Sequence, residues 1–451
     1  MLNGIPEPVR IIWQALNQAS PTFLVGGAVR DWLLHELPHD YDFASARPPG
    51  DVAQWAKLQG WQAIPTGLEF GTVTLRHPSY QDWPVEVTTF RKDGRYKDGR
   101  HPAEVHFSGR IEDDLGRRDF TMNAMALAFS GTLIDPFGGQ DDLDRGLIVT
   151  VGRARQRFAE DPLRMWRAVR FVGKDHGGLP FRLAPETSAG MTASRPLILN
   201  VSGERQRDEL MKLLASVHFA EALEAADAGG LLGIVWPEWA AARGFAQHNT
   251  HHAFPVHTHL LATAAQGTTP LLRLAGLLHD VGKPECFTQD ACGTGHFYGH
   301  DTVGALYAER MLQRLKFDAH TVRAIRDLVA HHMYPWEEAG AKSLRRVTRE
   351  WGLDHIEQLW ELRRMDIAGS GTQKAWTRQR EVRARWEAAV APAELTRLKP
   401  VASGKHVMEW THLPQGPEVG QWMRRIQDWV DEDPARNTVE RIQHFVIKGG
   451  P

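Results

Sequence analysis

The spacing of apolar positions changes along the chain. Residues 22–29 read as a strand and a turn, the strand ending at Gly26-Gly27; VRDWLLHEL (29–37) then repeats with helical spacing, and DYDFAS (40–45) alternates, with Tyr41 and Phe43 on one side and Asp40 and Asp42 on the other. A period of two is the signature of a strand, and a period of 3.6 that of a helix. EFGTVTLRHP and WPVEVTTFR, rich in Val and Thr, predict paired strands, and GTLIDPFGGQDDLDRG predicts a strand followed by a Gly-rich turn. Residues 1–150 therefore predict a mixed α/β unit. From about residue 156 the helical period takes over, in FAEDPLRMWRAVRFVG, ERQRDELMKLLAS and FAEALEAADAGGLLGIV, and persists to the end with Gly/Pro breaks near 228–238, 284–299 and 395–404.

Composition narrows the class. A chain of 451 residues, 42% hydrophobic and 24% charged, is long enough for two to four globular domains. Two cysteines, Cys286 and Cys292, are too few for a disulfide scaffold, which favours a reducing cytoplasm. The N-terminal residues show neither an apolar core nor a cleavage site for secretion. No apolar run approaches the roughly 18 residues that span a bilayer. The formal net charge of −2 excludes a chain that is basic throughout. Residues 340–390 nevertheless carry more Lys and Arg than Asp and Glu, which reads either as solvated helix faces or as a surface for an RNA backbone.

The chemistry begins at Gly26-Gly27. A glycine turn feeding a helix lets the backbone approach phosphate oxygens, and Arg30, one turn on, suits the same anion. Asp40 and Asp42 on one face of a strand repel unless a cation neutralises them, and hard oxygen ligands beside phosphates suit Mg²⁺. Glu86 in VEVTTFR offers a third carboxylate on a neighbouring strand. Asp161, Arg164, Arg167 and Arg170 in EDPLRMWRAVRF are expected on one helix, at spacings of three along a slowly drifting face. A second constellation is rich in histidine: HHAFPVHTHLLA, LLHDVGKP, HFYGHD, VAHHMYPW and RRMDIAG. Imidazole and carboxylate together suit divalent Mn, Fe, Ni, Zn or Mg.

Six blocks occur in fixed order: LVGGAVRD…DYDFAS, VEVTTFRKDGRYKDGRHP, DLGRRDFTMNAMA, DPFGGQDDLDRG, FAEDPLRMWRAVRF and SGERQRDEL. Over residues 22 to about 215 the chain resembles the class II tRNA nucleotidyltransferases, relatives of bacterial poly(A) polymerases in the polymerase beta-like superfamily. The resemblance implies an α+β fold, with a mixed-sheet nucleotidyltransferase head at 1–150, an all-α neck at 151–235, an HD domain at 236–370 and a helical tail at 371–451. It implies that Asp40 and Asp42 hold Mg²⁺, that Gly26, Gly27 and Arg30 contact the triphosphate, and that Arg117, Arg118, Asp119 and Asn123 of the RRDFTMNA block lie near sugar and phosphates. Asp161 and Arg164 would present a protein imitation of a base edge, accepting C or A, with Arg167 and Arg170 beside them. The segment with Arg91, Asp93, Arg95, Tyr96, Asp98 and Arg100, shortened in relatives that add only CC, favours full CCA addition and leaves A-only addition open. The implied partners are tRNA, ATP and CTP.

His257, His279-Asp280 and Asp366 follow the order of the HD phosphohydrolase superfamily, with His300 and His331 where two-metal members supply further ligands; His332 is the alternative at the last turn. Lys283 would face a phosphate. Related enzymes imply phosphatase, 2′-nucleotidase and 2′,3′-cyclic phosphodiesterase activity on tRNA ends. The competing readings are a poly(A) polymerase and an HD phosphohydrolase with an inactive head.

Overall fold

The structure is a computed structural model that describes residues 4–94, 104–248, 254–370, 375–390 and 399–449. It divides into two compact units, 1–329 and 330–451. The boundary falls inside the stretch the sequence assigns to one HD domain.

The first unit opens with α1 (Glu7–Ala19), which buries Val9, Ile12, Trp13 and Leu16 at helical spacing. β1 (Thr22–Val25) runs into α2 (Gly27–Leu33), and the chain returns as β2 (Asp42–Ser45). A crossover through α3 (Pro49–Leu58), β3 (Gln62–Gly67) and β4 (Thr72–His77) leads to β5 (Tyr80–Thr89). A short ribbon of β6 (Arg91–Asp93) and β7 (Val105–Phe107) follows, then α4 (Ile111–Gly116), β8 (Ala126–Leu127), β9 (Leu133–Ile134) and α5 (Gly139–Asp144). The main sheet has the order β3-β4-β5-β2-β1-β8-β9. Among the described strands of this sheet only β2 and β5 run parallel, in a register that sets Asp42 opposite Glu86. The central position of β2 explains its buried Phe43, Ala44 and Ser45. Trp13 packs on Phe43 at 5.6 Å between centroids and donates its indole N–H to the Thr22 carbonyl at 2.8 Å, tying α1 to the sheet.

Helices then take over, as their period predicted. They include α6 (Ala154–Glu160), α7 (Leu163–Val172), α8 (Pro185–Ser194), α9 (Gly203–Ala215) and α10 (Phe219–Ala228). α11 (Leu231–Val235), α12 (Pro237–Ala242), α13 (Val256–Ala265), α14 (Pro270–Leu278) and α15 (His300–Arg314) continue the unit. α7 is buried almost all round, through Leu163, Met165, Trp166, Ala168, Val169, Phe171 and Val172. It packs against α9 and α10. The Trp166 indole donates to Gln206 at 3.1 Å, and Gln206 in turn donates to the carbonyls of Ile198 and Val201.

In the second unit, the helices Ala341–Trp351 and Leu353–Gly369 pack with Ala375–Ala389. Trp386 donates to the Thr348 hydroxyl at 2.9 Å. Three further helices, Gly404–Thr411, Pro417–Glu432 and Val439–Ile447, enclose a separate core of Val407, Ile426, Val430, Ile442 and Phe445. Trp410, Trp422 and Trp429 pack against that core. Several arginines of the basic stretch are ion-paired: Arg363 with Glu337, Arg364 with Glu361, Arg383 with Glu357 and Glu387, and Arg349 with Asp431. No helix among the described residues is long and apolar enough to cross a membrane.

At Gly139 a side chain would press its Cβ onto the Thr121 carbonyl. Gly139→Ala is therefore expected to destabilise the first unit by about 1–3 kcal/mol, the usual cost of overpacking. A lowered urea midpoint for unfolding of the first unit, followed by hydrogen exchange of its backbone amides, would register it.

Candidate nucleotide cleft and metal centre

One cleft of about 360 Å³ opens between the sheet and α7. It is lined by Gly26, Gly27, Arg30, Asp42, Arg117, Arg118, Asp119, Asn123, Asp161, Arg164, Arg167, Arg170 and Phe171. All eleven positions that the sequence reading assigned to nucleotide binding are thus brought together, along with Asp42. Phe171 is an addition: the guanidinium carbons of Arg30 and Arg170 stand 5.0 and 4.4 Å from its ring centroid.

Each element presents its residues for a local reason. Gly26 has φ +72°, and a Cβ there would stand 2.6 Å from Arg118 Nη1, so glycine keeps the turn close to the guanidinium. Spacings of three on α7 turn Arg164, Arg167 and Arg170 to one side while the apolar residues between them fill the core. Asp161 departs from the expectation of a shared helix. It precedes α7 in extended backbone, at φ −143° and ψ 100°, because Pro162 starts the helix. Its carboxylate accepts from the Leu163 N–H at 3.2 Å and from Arg205 Nη2 at 3.2 and 3.4 Å. Arg205, on α9, was not singled out from the sequence, although it lies in the block SGERQRDEL.

Carboxylates behind the arginines hold them in place. Asp114 is fully buried and bridges Arg117 at 2.8 Å and Arg118 at 3.1 Å. Burial by itself raises the Asp114 carboxyl, but the two guanidiniums outweigh it and hold it below its usual value. Asp119 follows the same balance: burial opposes ionisation, while Arg167 at 2.6 Å and the Asn123 amide at 3.0 Å hold the carboxyl well below the usual range. Arg164 donates to Glu160 at 3.1 Å and to the Arg117 carbonyl at 3.0 Å. Arg170 pairs with Glu209 at 2.5 Å.

The acidic wall behaves oppositely. Burial raises the Asp42 carboxyl to about 6; Arg118 opposes this, and Glu86 and Asp40 add to it. Asp40 is exposed and sits just before β2 rather than on it, and Glu86 lies across from Asp42 on β5. A carboxyl that resists ionisation beside two further carboxylates fits a hard divalent cation. Of the loop with Arg91, Asp93, Arg95, Tyr96, Asp98 and Arg100, only the first two lie within the described residues. Arg91 pairs with Asp93 at 3.0 Å and bonds the Phe70 carbonyl.

Part of the histidine constellation forms a second, buried cluster in the first unit. His259 and His279 bring their Nε2 atoms to 3.2 Å, and both approach Asp280 Oδ2, at 3.4 and 3.2 Å. His300 Nε2 lies 3.2 Å from Asp280 Oδ1. The Nδ1 atoms of His279 and His300 face the carbonyls of Gly276 at 2.9 Å and Phe297 at 2.6 Å. Donation there leaves Nε2 as the lone-pair nitrogen, the arrangement typical of metal ligands. Lys283 Nζ bonds both Asp280 at 2.5 Å and Gln247 Oε1 at 2.8 Å. Burial would raise the Asp280 carboxyl, but His279 and Lys283 prevail and keep it well below its ordinary value.

His257 is corrected here. Its Nδ1 accepts from the Gly244 N–H at 2.9 Å, and the cluster contains His259 instead. Two positions on a helix are about 200° apart, so these histidines of α13 face opposite ways. The buried stripe Val256, Leu260, Thr263 was the available signal, since His259 lies within it. His331 and Asp366 belong to the second unit. There His331 stacks on Trp351 at 3.8 Å and its Nδ1 bonds His355 at 3.0 Å. Asp366 sits within the helix Leu353–Gly369.

Comparison with known proteins gives three matches along the chain. Residues 22–149 match the family model of the poly A polymerase head domain, residues 180–243 that of the probable RNA and SrmB-binding site of polymerase A, and residues 256–369 that of the HD domain. The A-adding tRNA nucleotidyltransferase of Deinococcus radiodurans is 35% identical over 425 residues, covering 90% of each chain. The CCA-adding enzyme of Geobacillus kaustophilus is 44% identical over 217 residues, which cover 48% of this chain and 51% of that one. Among solved structures, the Bacillus stearothermophilus CCA-adding enzyme in complex with CTP has a TM-score of 0.66 at 29% identity, covering 99% of this chain and 98% of that one.

The raised Asp42 carboxyl yields a stability prediction. The neutral form's contribution is complete below the ordinary value of 3.8 and lost as pH rises through about 6. Without divalent metal, Asp42→Asn is expected to melt close to wild type at pH 4 and above it at pH 7.5, by at most about 3 kcal/mol. Differential scanning fluorimetry in EDTA measures this, and Mg²⁺ is expected to raise the melting temperature of wild type by more than that of Asp42→Asn.

Proposed function

This chain belongs to the tRNA nucleotidyltransferase family, and from that premise we propose that it completes the CCA end of tRNA from CTP and ATP without a nucleic-acid template. The observation that carries the reading is the convergence of the glycine turn, six arginines and Asp42 on one cleft. The tRNA 3′-hydroxyl attacks the α-phosphorus of the incoming nucleotide, and pyrophosphate departs. Arg30, Arg117 and Arg118 supply the charge that binds the triphosphate. Mg²⁺ held by Asp40 and Asp42, with Glu86 alongside, supplies charge neutralisation at the reacting phosphate and favours the ionised hydroxyl.

Base choice falls to Asp161 and Arg164. A carboxylate accepts from the exocyclic amine of cytosine or adenine, and a guanidinium donates to the ring nitrogen beside it. Guanine and uracil present a carbonyl and an N–H in the reverse order. A wrong base leaves buried groups unpaired, at about 1–3 kcal/mol each. A single rival reading has an observation in its favour. Addition of A alone fits the name of the Deinococcus radiodurans relative, which is matched over 90% of its length.

The primer assay separates the readings. Purified protein is given tRNAs ending before C74, before C75 and before A76, with CTP, ATP or both. The expected outcome is extension of all three to CCA; extension of the last alone assigns A addition, and long A tracts assign a poly(A) polymerase. Asp40→Asn and Asp42→Asn are each expected to abolish extension.

The buried cluster supports a second, metal-dependent hydrolytic activity on phosphoesters of tRNA ends, with His259, His279, Asp280 and His300 as ligands. A divalent ion there, Mn, Ni, Fe, Zn or Mg, supplies an activated water. Lys283, whose ammonium bonds Asp280, would meet a phosphate oxygen. Isothermal titration with Mn²⁺ is expected to lose one binding event in His259→Ala and keep it in His257→Ala, with nucleotide addition unchanged in both. The four parts at 1–150, 151–235, 236–370 and 371–451 remain our division of labour. The two cysteines, neither in a disulfide, accord with a cytoplasmic enzyme.

A further inference from the structure

A closed circuit of polar contacts links the two helices that flank the cleft. Lys174 lies just beyond the C-terminal end of α7, where Gly173 ends the helix. Its ammonium bonds Asp31 Oδ1 at 2.8 Å and Glu36 Oε2 at 3.0 Å, both belonging to α2 and the turn after it. The same Asp31 oxygen accepts from Arg30 Nε at 2.9 Å and Nη2 at 2.7 Å. Arg30 then donates from Nη1 to Asn123 at 2.6 Å, Asn123 donates to Asp119 at 3.0 Å, and Asp119 receives Arg167 Nε at 2.8 Å. Arg167 returns the path to the middle of α7.

The circuit joins α2, which carries the triphosphate-facing Arg30, to α7, which carries the guanidiniums below the base position. Besides the Arg30 guanidinium over the Phe171 ring, two polar bridges span them, one through Asn123 and Asp119 and one through Lys174. Without the Lys174 bridge, the end of α2 loses its tie to the end of α7, and among the described residues only the contacts made through Arg30 remain between the two sites. Lys174 does not line the cleft, and three-quarters of its side-chain surface is covered. Its ion pair is thus partly shielded from solvent, where such pairs hold geometry better than at an open surface.

We propose that Lys174 is a positioning residue that presets the distance between the triphosphate site and the base-reading site, so that CTP and ATP meet an assembled cleft. The inference rests on the nucleotide-transfer reading above. Its consequence is specific. Loss of preset geometry weakens ground state and transition state alike, which raises KM and leaves kcat in place. Both nucleotides span the two sites, so both are affected, whereas the tRNA primer is not.

The test uses the full chain with initial rates of extension at varied CTP, ATP and tRNA. Lys174→Met is expected to raise KM for both nucleotides by about tenfold, with kcat and the KM for tRNA within about twofold of wild type. Lys174→Arg is expected to restore KM, and Glu36→Gln to give a smaller rise, since Asp31 is retained. Lys174→Gln, which keeps a polar side chain without charge, serves as the second variant and is expected to behave as Lys174→Met. A merely structural role would lower the melting temperature and the active fraction, hence kcat, and leave KM alone; that result overturns the proposal. So does an unchanged KM in both neutral variants, or a failure of arginine to restore it. If wild type transfers no nucleotide, the transfer reading fails and takes this inference with it. If wild type transfers and the variants match it, this inference fails alone.

Discussion

Six guanidiniums facing one cleft repel one another, and the fold depends on how that repulsion is held. Asp114, Asp119, Glu160 and Glu209 stand behind Arg117, Arg118, Arg167, Arg164 and Arg170. Buried ion pairs contribute little net stability, because desolvation of both charges offsets their attraction. What they contribute here is direction. Each carboxylate fixes the guanidinium it meets against the cleft wall, so an anionic ligand meets a field already in place. The ring of contacts through Arg30 and Lys174 extends the same principle from side chains to whole helices.

The opposite wall has the inverse problem. Burial on β2 makes Asp42 resist ionisation, and the nearby carboxylates of Glu86 and Asp40 add to the effect. A site that is unfavourable alone and favourable with a cation trades stability for function, as is usual where binding residues sit in a packed frame. The buried histidine cluster resolves its charge differently. Asp280 is shared by three imidazoles and the Lys283 ammonium, so its carboxylate is stabilised by neighbours already present. The two centres thus differ in how strongly each depends on an added cation for its own stability.

Much of the head could be read along the chain because its signals are local. The alternation of Tyr41 and Phe43 with Asp40 and Asp42 located a strand edge, and the glycine pair located the turn before α2. Spacings of three placed Arg164, Arg167 and Arg170 on one side of α7. The misplacements also have local causes. His257 and His259 lie two apart on a helix, and only the buried stripe distinguishes the one that turns inward. Asp161 was expected on the helix because periodicity does not register the break that Pro162 imposes. Arg205 escaped notice because nothing in its own surroundings marks it as the partner of a residue 44 positions earlier.

The chain by itself determined which residues carry charge, which alternate and which repeat, and hence the α+β character and the helical second half, while the membership of the cleft came from the resemblance of its ordered blocks to a known family. The first two features depend on periodicity and on short-range sterics, which each segment carries with it. The tertiary structure alone decided which carboxylate meets which guanidinium, that Asp42 faces Glu86, and that Lys174 closes a circuit with Asp31. Such pairings arise where distant segments meet, at distances set by the packing of Trp13, Phe43 and Trp166, and electrostatic energy at a few ångströms is too sensitive to separation and burial to be read from order along a chain.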